Sequence, residues 1–185
     1  MPIPAFDTNN VLPPHLGNAI SRADLSPYEC TSIDLVARYA TSAARASILR
    51  GFLDFRHKLQ LRGLTIGYQW LDGSFLEDIE KLENRNPQDL DVLTVFWGYD
   101  SAFLNQLAGA FPAFIDPAES KRTYHLDHFP LWADESPWGA VENTRYWIQL
   151  FTHRRDGVWK GMLKIPLGSP ADDDQARQDL NANFS

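Results

Sequence analysis

Apolar positions recur along this chain with two different periods, and the change from one to the other predicts the order of its elements. From Ser32 to about Arg62 the period is helical, with Ile48, Phe52, Phe55 and Leu59 at i, i+4, i+7 and i+11 on one face of a 3.6-residue repeat. Ser32 stands at the start as a cap with Asp34 in the first turn, and Gly63 stands where such a helix stops. Leu64 to Leu71 is apolar and aromatic and predicts a strand; Phe75 to about Leu82 predicts a short helix. Asp89-Leu90-Asp91 then opens a strand that turns fully apolar from Val92 to Phe96. Asp100 to Ala110 predicts a capped helix with Phe103, Leu104, Leu107 and Phe111 inward.

Lys121 to Leu131 alternates, which predicts a strand with His125, Asp127 and Phe129 on one face and Tyr124, Leu126 and His128 on the other. Ser136-Pro137 predicts a helix running to about Arg155, with Val141, Trp147, Ile148, Leu150 and Phe151 inward. At its end His153, Arg154 and Arg155 suit the negative end of the dipole. Asp156-Gly157 turns the chain into a last strand. Together these give an α/β (α+β) domain over residues 31–167. Its small mixed sheet has strands near 65–71, 89–97, 122–131 and 159–166, flanked by helices. Residues 1–30 are proline-rich and without period, an arm that Val11, Leu12 and Leu16 can pin to the domain or to a second subunit. Residues 168–185 turn to Ser, Asp, Gln and Asn and predict a flexible acidic tail.

The 185 residues, 44% hydrophobic and 12% aromatic, suffice for one domain with its own core. The apolar runs are too short to span a membrane, and MPIPAFDTNN has no basic segment leading into an apolar one, so the expectation is a cytoplasmic protein with no membrane contact. A net charge of −7 disfavours long nucleic acid, whose binding rests on phosphate neutralisation by Lys and Arg. Cys30, the single cysteine, has no partner for an internal disulfide and reads as a structural thiol.

The chemistry lies between Trp70 and Phe96. Asp89 and Asp91 emerge on the same face of a strand, about 6.5 to 7 Å apart. Two such carboxylates repel and are costly to bury unpaired. A hard cation such as Mg²⁺, which takes carboxylate oxygens and substrate phosphates, resolves the conflict. Gly73-Ser74, then Arg85, then Asp89-x-Asp91, with apolar strands on both sides, resembles the minimal nucleotidyltransferase pattern of the polymerase-beta-like superfamily. The whole chain, from Val11-Leu12-Pro13-Pro14 through Tyr68 to Ser74 and on to Trp159-Lys160-Gly161, further resembles DUF6932, an uncharacterised bacterial family.

The resemblance implies a transfer of NMP, AMP from ATP or the equivalent from another NTP, with Mg²⁺ or Mn²⁺ held by Asp89 and Asp91. It implies that Gly73-Ser74 lies under the triphosphate; glycine admits close backbone approach, and a hydroxyl with N–H groups at a helix start binds anions. It also implies a third acid from a neighbouring strand, for which Asp127 is the best match, as base or metal ligand. Small relatives are paired with toxins or sit in phage-defence loci. The acceptor implied is therefore a partner protein encoded nearby or a small molecule, in a chain that can also be a homo-oligomer.

Several side chains keep two readings. Lys160 can reach a phosphate or lie on the surface, and Arg45, Arg50, Arg56, Lys58 and Arg62 form either a solvated face or a phosphate groove. Glu77, Asp78, Glu80 and Glu83 read as a solvated helix face. His125-x-Asp127-His128 does not read as zinc ligation, because alternation sends His128 away from the other two, while His125 can orient Asp127. The competing function is a binding module, an inactive nucleotidyltransferase fold that acts as an antitoxin or assembly subunit; a nuclease ranks lower for want of a basic channel.

Overall fold

The computed structural model describes residues 3–184. Its centre is a five-stranded sheet of β1 (Tyr28–Glu29), β2 (Gly67–Asp72), β3 (Leu90–Phe96), β4 (Leu126–Trp132) and β5 (Leu163–Pro166), in the order β1-β5-β2-β3-β4. β2 runs antiparallel to β3 and β5, whereas β1–β5 and β3–β4 are parallel. The sheet is thus mixed and flanked by helices, as the pattern predicts. The long helix expected from residue 32 to 62 is two: α1 (Ser32–Tyr39) and α2 (Ala43–Leu61). Thr31 caps α1 in a reciprocal box with Asp34, and the Ser42 hydroxyl accepts from Arg45 N–H to start α2 afresh.

The expected helix over 75–82 resolves into a 3₁₀ turn at Ser74–Leu76 and a short α3 (Ile79–Glu83). A parallel β3–β4 pair needs a crossover, and α4 (Ser101–Ala110) and α5 (Pro117–Tyr124) supply it. α5 corrects the strand expected from 122. Asp116 accepts from Ala118 and Glu119 N–H, Pro117 stands at the first helical position, and Glu119 pairs with Arg122 one turn on. These local signals outweigh the alternation, which governs the backbone only from Leu126. His125, at φ 57°, ends α5 and is not a strand residue beside Asp127.

Alternation along the strands sorts their side chains onto two unequal faces. Leu71, Val92, Leu126, Leu163 and Ile165 face a core shared with α1, α2, α4 and α7 (Pro170–Asn183), where Phe52, Phe55, Leu107 and Leu180 are buried. A polar chain crosses this face beneath the strands. Arg56 donates to Asp173 and to Gln69, Gln69 donates to Thr94, and the Thr94 hydroxyl meets His128 Nε2 at 2.8 Å. The other face carries Trp70, Leu93, Val95, Leu131 and Met162, packed with Phe151 and Trp147 of α6 (Pro137–Phe151). That helix leaves Val141, Ile148 and Leu150, expected inward, exposed, because among the described residues no second helix covers them.

The described segments before β1 and after β5 pack against the domain. Val11 and Leu12 are fully buried, Gly161 N–H donates to Leu12 O, and Tyr28 Oη donates to Pro13 O at 2.6 Å; Leu16 is exposed. Residues 170–183 form α7, not a frayed tail. Its two core residues, Ala176 and Leu180, are too few to show a period, and its anchor is a carboxylate. Asp173 is buried and receives Arg56, Gln60 and Ser32. Among the described residues no helix is long and apolar enough to cross a membrane.

Candidate active site

Antiparallel pairing sets the end of β2 beside the start of β3, and parallel pairing sets the start of β3 beside the start of β4. The register that results is Asp72 opposite Asp91 and Asp91 opposite Asp127. Three aspartates therefore cross three strands in one row, with neighbouring strands about 4.8 Å apart, on the α6 side of the sheet. Asp89 lies two residues before Asp91. Gly73 follows Asp72 at φ 89°, and a Cβ there would stand 2.9 Å from Asp91 Cγ. Only glycine lets the backbone lie this close to the carboxylate. Ser74 opens the 3₁₀ turn beyond it.

Arg45 fastens that turn to α2. Its guanidinium donates to Phe75 O at 2.6 Å and Glu77 O at 2.8 Å, and holds the Glu80 carboxylate by two bonds. Two lysines neutralise part of the acid cluster. Lys121 of α5 places Nζ 2.5 Å from Asp89 Oδ2. Lys160 is buried, with Nζ 2.9 Å from Asp72 Oδ1 and 3.0 Å from Glu77 Oε1. Glu77 is also paired with Arg154. No basic side chain among the described residues pairs with Asp91.

The electrostatics follow from this inventory. Burial pushes the Asp91 carboxyl up to about 7, and the charges of Asp72, Asp89 and Asp127 push the same way. Burial raises Asp72 to about 6 against the pull of Lys160, since one ammonium is shared between two carboxylates. Burial works against the Lys160 charge, but Asp72 and Glu77 outweigh it and lift it above the ordinary lysine value. Asp127 is raised by burial and by Asp89, against the opposing charge of Lys121. The cluster holds more negative charge than its lysines balance, and Asp91 is where the excess concentrates.

Of the residues singled out in the sequence, Gly73, Ser74, Asp89, Asp91 and Asp127 come together at this end of the sheet. Arg85 does not: it sits on an exposed loop and pairs with Glu83. Lys160 is beside the cluster, yet its ammonium is committed to Asp72 and Glu77 rather than free on a surface. Glu77, expected in solvent, is buried, and Arg45 and Arg56 of the basic face are buried too, each on carboxylates of the domain. Asp72, Glu77, Arg45 and Lys121 carry site interactions that sequence reasoning missed. The signal available was period-2 spacing, which puts Asp72 on the face of Trp70, but only the β2–β3 register sets it opposite Asp91.

Charge and donor type fit a hard divalent cation: the donors are carboxylate oxygens, and Asp91 is a partly buried acid whose anionic form a cation would favour. The spacing is not closed around one point. Among the described residues no three His, Cys, Asp or Glu side chains converge to hold a metal ion. Lys121 draws Asp89, and Lys160 draws Asp72, to sites of their own. Two cavities of about 220 and 230 Å³ lie elsewhere, one lined by Phe96, Leu104, Pro130 and Trp132, the other by Val36, Ala40 and Asn183.

Compared with known proteins, the chain matches one family model, described as a family of unknown function (DUF6932), over residues 4–166. No curated protein and no solved structure matches.

Proposed function

The chain belongs to DUF6932, a family of unknown function, and on that premise we propose that it is a metal-dependent nucleotidyltransferase that moves AMP, or another NMP, from an NTP to a hydroxyl acceptor. One observation carries the reading: the backbone at Gly73-Ser74 lies directly against Asp91, in register with Asp127. A glycine–serine turn, a strand beginning Asp-x-Asp and an acid from the next strand thus share one end of one face.

In this reading Asp91, with Asp89 once released from Lys121, would hold Mg²⁺ or Mn²⁺, and Asp127 stays off the ion as the base. Such an ion supplies charge neutralisation on the reacting phosphate and on the departing pyrophosphate. Gly73 keeps side-chain bulk away from the phosphates, and the Ser74 hydroxyl donates to them. Arg45 fixes the turn from behind through Phe75 O and Glu77 O. The acceptor oxygen bonds to the α-phosphorus, the bond from that phosphorus to the pyrophosphate oxygen breaks, and the acceptor proton passes to a carboxylate oxygen of Asp127. A raised Asp127 pKa suits that role, because a more basic carboxylate takes the proton more readily. The acceptor class we propose is a side-chain hydroxyl of a partner protein. The test is Mg²⁺-dependent transfer of label from α-labelled ATP to protein. Loss of transfer in the Asp89→Ala, Asp91→Ala double variant supports the proposal; equal labelling in that variant refutes it.

The lysines already seated on Asp72 and Asp89 favour a second reading, a fold that no longer turns over and acts by binding a partner. It predicts no labelling at all, together with partner capture that survives the double substitution.

A further inference from the structure

Among the described residues α6 is the helix that packs on its side of the sheet, and the stripe directly opposite its packed residues faces solvent. Ala140, Thr144, Trp147 and Phe151 face inward at helical spacing, and Trp147 stacks on Phe129 with ring centroids 4.8 Å apart. The opposite stripe is Trp138, Glu142, Arg145 and Gln149, flanked by Val141 and Ile148. Trp138 is 75% exposed and Val141 63%, and Tyr146, Ile148 and Leu150 are exposed as well. Exposed apolar residues this large, on both flanks of one short polar stripe, mark a place of contact.

The charges say which partner fits. Across Pro137–Phe151 the only charged residues are Glu142 and Arg145, so this helix is neutral in a chain of net charge −7. The two are equidistant from a midpoint between Asn143 and Thr144. Laid antiparallel on its own copy about that midpoint, the helix sets Glu142 opposite Arg145 twice over, Trp138 opposite Gln149, and Val141 beside Ile148. An isologous two-fold contact demands this kind of self-complementarity. At 15 residues the contact is about 22 Å long. We propose that α6 is a homodimer interface, with a second copy of this chain as its partner. In the monomer Glu142 and Arg145 pair with each other at 2.9 Å, which keeps the face neutral until the copies meet and exchange partners. The contact is independent of any activity at the acid row.

Sedimentation equilibrium tests this on the full chain and its variants, with helicity checked by circular dichroism. Wild type is expected to dimerise below about 100 µM, in the range of a small interface. Glu142→Arg or Arg145→Glu alone juxtaposes like charges across the axis and weakens self-association roughly tenfold or more. Mixing the two single variants restores a dimer, now a heterodimer, because every cross-axis pair is again of opposite sign although each helix keeps its own like-charged neighbours. A monomeric wild type at that concentration overturns the proposal. So does a wild-type dimer whose single variants associate unchanged, or whose mixed variants fail to pair.

Discussion

Asp91→Asn replaces a partly buried acid with a neutral amide of the same shape, and the setting of that acid gives the sign of the effect and an upper bound on its size. The folded-state pKa of Asp91 is about 7, against 3.8 as the ordinary value, a gap of about three units. Between those values the folded protein keeps a proton that the unfolded chain has released, so raising the pH favours unfolding. The penalty is absent below about pH 4, grows through the interval and is complete above about pH 7. At about 1.4 kcal/mol per unit, it reaches at most about 4 kcal/mol at pH 8. The amide removes it. For a chain of this size 1 kcal/mol moves the melting midpoint by about 2–4 °C, so 4 kcal/mol corresponds to about 8–16 °C as the upper bound on how far the variant melts above wild type at pH 8 in chelator.

At pH 4 the two should coincide. Scanning calorimetry from pH 4 to 8 measures the difference directly; groups remote from the acid row cancel because both proteins share them, whereas Asp72, Asp89 and Asp127 lose a like-charged neighbour in the variant and add to the same sign of effect. Adding Mg²⁺ at pH 8 should raise the wild-type midpoint and leave Asp91→Asn unmoved, since the ion supplies the counter-charge the carboxylate lacks. Parallel pH curves, or a variant less stable than wild type at pH 8, would refute the claim that like charge accumulates on Asp91.

Three further outcomes are expected. His128 is buried against Phe55 and Phe114, and burial lowers its pKa to about 3; the unfolded chain therefore binds the proton first as pH falls below about 6.5, and this one group should contribute a loss of roughly 1.4 kcal/mol per unit over that range, opposite in sign to the contribution of Asp91. His128→Gln removes that contribution, so the variant should gain stability relative to wild type between pH 7 and pH 4, as read by urea unfolding of both proteins at the two pH values. Asp173→Ala leaves the Arg56 guanidinium buried without its carboxylate and should cost about 3–5 kcal/mol in urea unfolding at neutral pH, although it lies far from the acid row in sequence. Truncation after Gly168 removes α7 and uncovers the core over α1 and α2, so it should abolish a single cooperative melt, whereas a frayed tail would be removed without effect.

The acid site was legible as far as local rules reach. Gly73-Ser74, Asp89 and Asp91 could be found because a strand end, a turn and a second strand start are read from consecutive residues. Asp127 was assigned to the correct face by period two, even though the strand began later than the alternation suggested. Arg85 and Lys160 were picked as free cations because a sequence does not show which carboxylate a long side chain will meet.

Sequence by itself determined the order of most elements, the apolar interior and the presence of closely spaced acids near a glycine–serine turn, because period, capping and turn chemistry act within a few residues. The tertiary structure alone decided that Asp72 joins Asp91 and Asp127, that Lys160 and Arg45 are spent inside the domain, and that an acidic end becomes a helix anchored by Asp173 on Arg56. Strand register and ion pairing join residues far apart in the chain, and only the folded packing specifies which of many possible partners each charge receives.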